Sequence, residues 1–276
     1  MSFKTVLAVV GTKEAASDIG KAIELSADLD AHLSILAIGT ALQPIMSDYA
    51  VASAWVEQRQ AEINALLEVR QKAEDMCRAN GISFDTDYLY DDRFILENNL
   101  SMRALYADLV LLGDGARHDS DIRKAVVAGT VFDAHVPLLL APANGKSSLR
   151  PKNVLLAWNS RAEAACAAKE ALHMLVEADA VHVVIVDPDS SYVKNGGEPG
   201  ADIAIFLARH GVKVVVEQLA SGERSVEDVL RQHALEIGCD LMVMGAYGHS
   251  RLRERIFGGV TTSILEDCEF PVFFAR

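Results

Sequence analysis

The 276-residue sequence predicts an α/β protein made of two tandem, doubly wound, parallel-sheet domains. Three observations predict it. Short apolar runs alternate with segments of helical periodicity, which implies parallel strands joined by right-handed helical crossovers. The runs occur twice in the same order. The last but one ends in a glycine-rich loop that leads into a helix, at the strand C-terminal end where such sheets bind ligands.

The first copy opens on KTVLAVVGT at 4–12 and continues through HLSILAI at 32–38, ADLVLLG at 107–113 and HVPLLLAP at 135–142. The second runs KNVLLAWNS at 152–160, HVVIVD at 182–187, CDLMVMG at 239–245 and EFPVFFAR at 269–276. Four matched strands in one order mark a diverged internal repeat. The predicted domains are 1–143 and 150–276, joined by PANGKSSLRP, a Pro/Gly/Ser-rich linker. Between the strands, AAKEALHMLVEA (167–178) and VEDVLRQHALEIG (226–238) place apolar residues three and four apart and read as helices. The stretch 51–80 reads as one long amphipathic helix. Its counterpart in the second copy, KNGGEPGADIAIFLARHG at 194–211, reads as short and loop-like.

Composition narrows the function. Half the residues are apolar and few are aromatic, so well-filled aliphatic cores are expected. A net charge of −13 argues against general binding to nucleic acid or anionic membrane, which needs a basic face. No run approaches the roughly 20 apolar residues of a membrane span. MSFKTVLAVVGT reads as a first strand and not a signal peptide. The four cysteines (Cys77, Cys166, Cys239, Cys268) form no C-x-x-C pair and read as buried free thiols, which suits a reducing cytoplasm.

In the loop after 241–244, Gly245 is followed by Gly248 and, nine residues on, by Gly258, then Gly259 and Thr261. Outward-facing backbone N–H groups and a helix N-terminus suit a phosphate chain. Arg251, Arg253 and Arg255, beside His249, form a basic cluster on an acidic protein and suggest an anion there. Taken alone, the same loop reads equally as a solvated segment with chance arginines, since short glycine patterns are weak.

The G-x2-G-x9-G spacing of Gly245, Gly248 and Gly258 resembles the ATP-binding signature of the universal stress protein family. Thr261 matches a family hydroxyl, whereas the Ser or Thr that usually follows the third glycine is here Gly259. The resemblance implies a Rossmann-like, adenine nucleotide alpha hydrolase-like fold in both halves, packed as a pseudo-dimer. It implies an adenine nucleotide, ATP with or without Mg, held by the C-terminal domain in a regulatory or stress-response protein. Carried over residue by residue, the site is Asn159, Val186, Gly222, Gly245, Gly248, Arg251, Arg253, Gly258, Gly259, Val260 and Thr261. Asn159 stands where the family has an acidic residue against adenosine, Val186 where the backbone meets adenine, and Gly222 beside the ribose. Asn159 or Ser160 equally caps a helix, since Ser160-x-x-Glu163 is a capping box. Asp187 and Asp189 read as a solvated strand-end turn in preference to a metal site, and no metal is expected. His182 reads as a satisfied structural histidine.

The first copy lacks the signature. Gly115 and Gly129 miss the spacing, Gly11 stands in place of Asn159, and Asp114, Asp119 and Asp121 bring charge that would repel a triphosphate. It reads as a degenerate partner. No Walker loop, dinucleotide fingerprint, zincin motif or nucleophile–base pair is present, so no catalytic residues are expected and weak ATP hydrolysis is the most activity allowed. Two alternatives stay open: a scaffold of the same fold without nucleotide, and an enzyme of the related adenine-nucleotide hydrolases or ligases. The terminal strands, 137–141 and 271–275, would each leave an unpaired edge, and the resemblance implies that they pair with each other, in a monomeric pseudo-dimer or a homodimer. Protein partners are not readable.

Overall fold

The computed structural model describes residues 3–41, 49–142, 149–188, 198–246, 259–267 and 269–276, with the backbone alone at 49–53. The chain divides into two compact units, Ser2–Ala143 and Asn144–Arg276.

In the N-terminal unit β1 (Thr5–Val10), α1 (Ala15–Leu29), β2 (His32–Thr40), α2 (Tyr49–Asn80), β3 (Phe84–Asp91), α3 (Arg93–Ala104), β4 (Leu109–Leu112), α4 (Asp114–Arg117), α5 (Ser120–Val126) and β5 (Leu138–Leu140) follow in order; a π-helical segment, Val127–Asp133, precedes β5. The strands pair in parallel in the order β3-β2-β1-β4-β5. β1 and β4 are apolar on both faces because helices cover both, so they show no alternation. The long helix at 51–80 is present as α2. Leu66, Val69, Ala73 and Cys77 are its buried stripe.

The C-terminal unit repeats the plan with β6 (Asn153–Ala157), α6 (Ala162–Glu170), α7 (Leu172–Glu177), β7 (Ala180–Val186), α8 (Ala201–Arg209), β8 (Val214–Leu219), α9 (Val226–Glu236), β9 (Leu241–Gly245), α10 (Gly259–Glu266) and β10 (Val272–Ala275). Its parallel order is β8-β7-β6-β9-β10. The loop-like reading of 194–211 needs correction: 201–209 is α8, with Ile203 and Leu207 buried one turn apart. The preceding Gly/Pro-rich stretch masks so short an amphipathic pattern.

One side-chain device recurs in both units. Asp108, just before β4, accepts the N–H groups of Lys4 and Thr5 at 2.7 and 2.9 Å; Asp240, just before β9, accepts those of Lys152 and Asn153 at 2.9 and 3.1 Å. Each carboxylate satisfies donors at the open start of the first strand and fixes its register against the neighbour. Helix starts are built by the same chemistry: Asp92 caps α3 through Phe94 and Ile95, and Ser225 caps α9 through the N–H of Asp228.

Of the cysteines expected to be buried, Cys77 is, whereas Cys166 and Cys239 are half-buried; all three are free thiols. Desolvation pushes the pKa of Cys77 and of Cys239 up to about 11, so both stay protonated at neutral pH. Cys268 lies outside the described residues. Among the described residues no helix is long and apolar enough to cross a membrane.

Asp18 of α1 is 1% exposed and accepts the N–H groups of Asp114 and Gly115, each at 3.0 Å. Burial pushes its pKa above the ordinary carboxylate value, and these hydrogen bonds and Lys21 only partly oppose it. A raised folded-state pKa means the folded protein holds this proton more tightly than the unfolded chain. The stability it contributes is full below about pH 4 and is lost as pH rises through the folded pKa. Asp18→Asn is therefore expected to gain on the native protein as pH rises from about 4 toward neutrality, measured by urea unfolding across pH. A difference that does not change with pH would sink this assignment.

Candidate functional site

The strand C-termini of the C-terminal unit enclose a cleft of about 400 Å3, within the roughly 300–1,000 Å3 usual for small-molecule sites. Its lining combines the apolar Trp158, Val184, Val186, Leu230 and Met244 with Asn159, Glu163, Gly259, Val260 and Thr261. The backbone N–H of Trp158 donates to the carbonyl of Val184 at 2.9 Å, which extends the ladder by one residue.

α10, described from Gly259 on, brings Gly259, Val260 and Thr261 to the cleft. Arg231 of α9 holds the far end of α10 by donating to the carbonyls of Ser263 and Asp267 at 2.6 and 3.0 Å, satisfying carbonyls of the last turn. Among the described residues, a Cβ on Gly259 would meet nothing within 4 Å.

Gly245 has a different reason. A Cβ there would lie 2.5 Å from the carbonyl carbon of Glu163 and 2.6 Å from the nitrogen of Ala164, both backbone atoms at the start of α6. The glycine lets strand and helix touch, and it also lines the cleft.

Of the residues expected from the sequence, Asn159, Val186, Gly245, Gly259, Val260 and Thr261 line this one cleft. Gly248, Arg251, Arg253 and Gly258 lie outside the described residues, as do Arg255, His249, Ser250 and Asp189. Gly222 is not among the lining residues. It sits at φ 63° in a turn closed by the N–H of Arg224 on the carbonyl of Ser221. Asp187 accepts from the N–H of Ser221 at 2.9 Å and from its hydroxyl, tying the end of β7 to that turn.

The capping-box reading of Ser160 and Glu163 is corrected. Ser160 sits at φ 59°, the residue before α6 is Arg161, and no side chain caps the helix. The Asn159 carboxamide oxygen instead accepts the N–H of Arg161 at 3.1 Å, a local Asx turn. Sequence reasoning also missed Trp158, Glu163, Val184, Leu230 and Met244. The only available signal was position, since Trp158 and Met244 stand at strand ends.

In the N-terminal unit the equivalent loop folds onto the protein. Asp18 takes the N–H groups of Asp114 and Gly115, the groups that would otherwise face an anion. A Cβ on Gly115 would lie 2.0 Å from the carbonyl oxygen of Lys13, and one on Gly11 would lie 3.3 Å from the backbone of Ala116. Of the three aspartates expected to repel a triphosphate there, Asp114 is buried and paired with Arg117, and Asp119 caps α5. A cavity of about 500 Å3 remains beside this loop, edged by Lys13, Glu62, Tyr90, His118 and Asp119.

The model of the universal stress protein family matches residues 123–276, more than half of the chain. The chain belongs to the universal stress protein family. A universal stress protein of Synechocystis is 33% identical over 70 residues, 25% of this chain and 23% of that protein, so the match spans under a quarter of that relative's length. The crystal structure of a universal stress protein from Archaeoglobus fulgidus superposes with a TM-score of 0.67 at 18% identity, covering all of this chain and 97% of the other. A Pseudomonas aeruginosa protein of unknown function superposes at 0.58 with 13% identity, over 99% and 92% of the two chains. These likenesses show that the universal stress protein fold, a Rossmann-like α/β fold, extends over the whole chain.

Proposed function

We propose that this universal stress protein binds one adenine nucleotide per chain, with ATP the expected ligand, in the cleft of its C-terminal unit. The observation that carries the reading is the convergence of Asn159, Val186, Gly245, Gly259, Val260 and Thr261 on one cleft with a mixed apolar and polar lining. In this reading the base lies between Trp158 and the Val184–Val186 face of β7, where stacking and dispersion favour a flat ring. Asn159 and Glu163 meet the nucleoside hydroxyls. The phosphates run to the N-terminal side of α10, where the helix dipole and the Thr261 hydroxyl favour negative charge. The Arg251 and Arg253 cluster would add charge that salt screens. Mg2+, if carried, would come with the phosphates.

The N-terminal unit is excluded because an internal carboxylate, Asp18, already occupies its loop N–H groups, and its remaining cavity is edged by Glu62 and Asp119. In this reading nucleotide occupancy acts as a regulatory signal in the stress response. The test is titration calorimetry with ATP, together with mass spectrometry of nucleotide released on denaturation. One site per chain is expected. Two equivalent sites, or none, would overturn the reading.

A further inference from the structure

A second constellation lies under the same wall of the cleft. His182 on β7, Glu217 on β8 and His233 on α9 converge on one point. The Nδ1 of His182 is 2.9 Å and the Nε2 of His233 2.8 Å from the same oxygen, Glu217 Oε2. All three ligand atoms lie within 4.8 Å of one another. The side chains are 17%, 27% and 12% exposed, so the cluster is shielded but reachable. Structural satisfaction needs only one imidazole per carboxylate, and here two aim at a single oxygen.

The geometry points to a divalent metal site of the zinc class, with His182 Nδ1, a Glu217 carboxylate oxygen and His233 Nε2 as protein ligands. Two imidazoles and a carboxylate are a donor set that suits zinc. At zinc–ligand distances of about 2.1 Å, tetrahedral ligand atoms sit about 3.4 Å apart. The present nitrogen–oxygen distances need to open by about half an ångström, and the two nitrogens, within 4.8 Å of each other, to settle at a similar spacing. The ion takes the place of the two hydrogens now directed at Oε2; each imidazole stays neutral by carrying its hydrogen on the other ring nitrogen. For His233 that nitrogen, Nδ1, lies 3.7 Å from Glu236 Oε2, too long for a hydrogen bond as it stands but on the side where a small side-chain shift would supply an acceptor. Partial exposure leaves room for water as the fourth ligand.

The site would also brace the cleft. His182 shares a β7 face with Val184 and Val186, since alternate strand residues point the same way. His233 lies one turn beyond Leu230 on α9. An ion held by all three residues would clamp α9 to β7 and β8 behind the apolar lining of the cleft. The inference does not depend on what the cleft binds.

The test uses the full chain, stripped with chelator and dialysed against Zn2+ or Co2+, with metal content by mass spectrometry and cobalt visible absorption as the geometric signature. One ion per chain and a tetrahedral cobalt spectrum are expected. His182→Gln, Glu217→Gln and His233→Gln should each weaken binding by about tenfold or more, while His210→Gln, on an exposed residue outside the cluster, should not. Glu217→Gln keeps the shape and an acceptor oxygen, so it remains decisive should a histidine variant fail to fold. Zinc should raise the Tm of the native chain and of His210→Gln, but not of Glu217→Gln. No uptake by the native chain at micromolar free metal, or undiminished uptake by a folded Glu217→Gln protein, would overturn the site.

Discussion

Gly259→Glu is expected to remove ATP binding while the C-terminal unit stays folded. Among the described residues nothing lies within 4 Å of a Cβ at this position, and it is the first described residue of α10. A carboxylate at a helix N-terminus favours the helix by about 0.3–1 kcal/mol, so the unit should melt at or slightly above its normal temperature. The same charge faces an incoming phosphate. At about 4 Å and an effective dielectric near 20 the repulsion is about 4 kcal/mol, a loss of more than about 100-fold in affinity. Adenosine, which has no phosphate, should lose much less. Gly259→Ser is the reciprocal variant: it adds a hydroxyl where the family usually has one and should tighten ATP by up to about tenfold, one hydrogen bond of about 1 kcal/mol. Calorimetry with ATP and adenosine, beside thermal melts, reads both. A folded Gly259→Glu protein with unchanged ATP affinity would remove phosphate from the start of α10.

Gly245→Val should have the largest effect on stability. Its Cβ would fall 2.5, 2.6 and 2.8 Å from three backbone atoms of Glu163 and Ala164. Backbone cannot swing aside as a flexible side chain can, so α6 must move off β9, an internal strand of its sheet between β6 and β10. Overpacking of this kind costs about 3 kcal/mol or more. The expected result is early unfolding of the C-terminal unit in urea, with nucleotide binding lost as a consequence. The contrast with Gly259 is the point of the pair, since one glycine of the loop motif serves packing and the other leaves space. A Gly245→Val protein within about 0.5 kcal/mol of the native one would show that α6 does not need the close approach.

Much of the architecture was legible in local pattern. Buried parallel strands must be continuously apolar, which is why 6–10, 109–112, 154–156 and 241–244 stood out. The repeat exposed the two-unit plan, and the position of Gly245 at a strand end pointed to the cleft. α8 was missed because nine residues with two buried contacts carry little periodicity beside a run of glycine and proline. The capping box was misread because Ser160 takes a left-handed backbone that no motif of residue types reveals.

By itself, then, the sequence determined the α/β class and the doubled plan, and by resemblance pointed to the family that its model match shows. The class and the doubled plan follow from periodicity along the chain, which records what each residue must bury and where the backbone must turn. Only the tertiary structure decided that Gly245 is held by α6, that Asp18 fills the N-terminal loop's anion-binding N–H groups, and that Trp158 and Leu230 share a wall with Val186. It also decided that His182, Glu217 and His233 meet, although 35 and 16 residues separate Glu217 from its two partners. Convergence of this kind depends on the register of neighbouring strands and on the rotation of a helix over them, and neither leaves a mark in local composition.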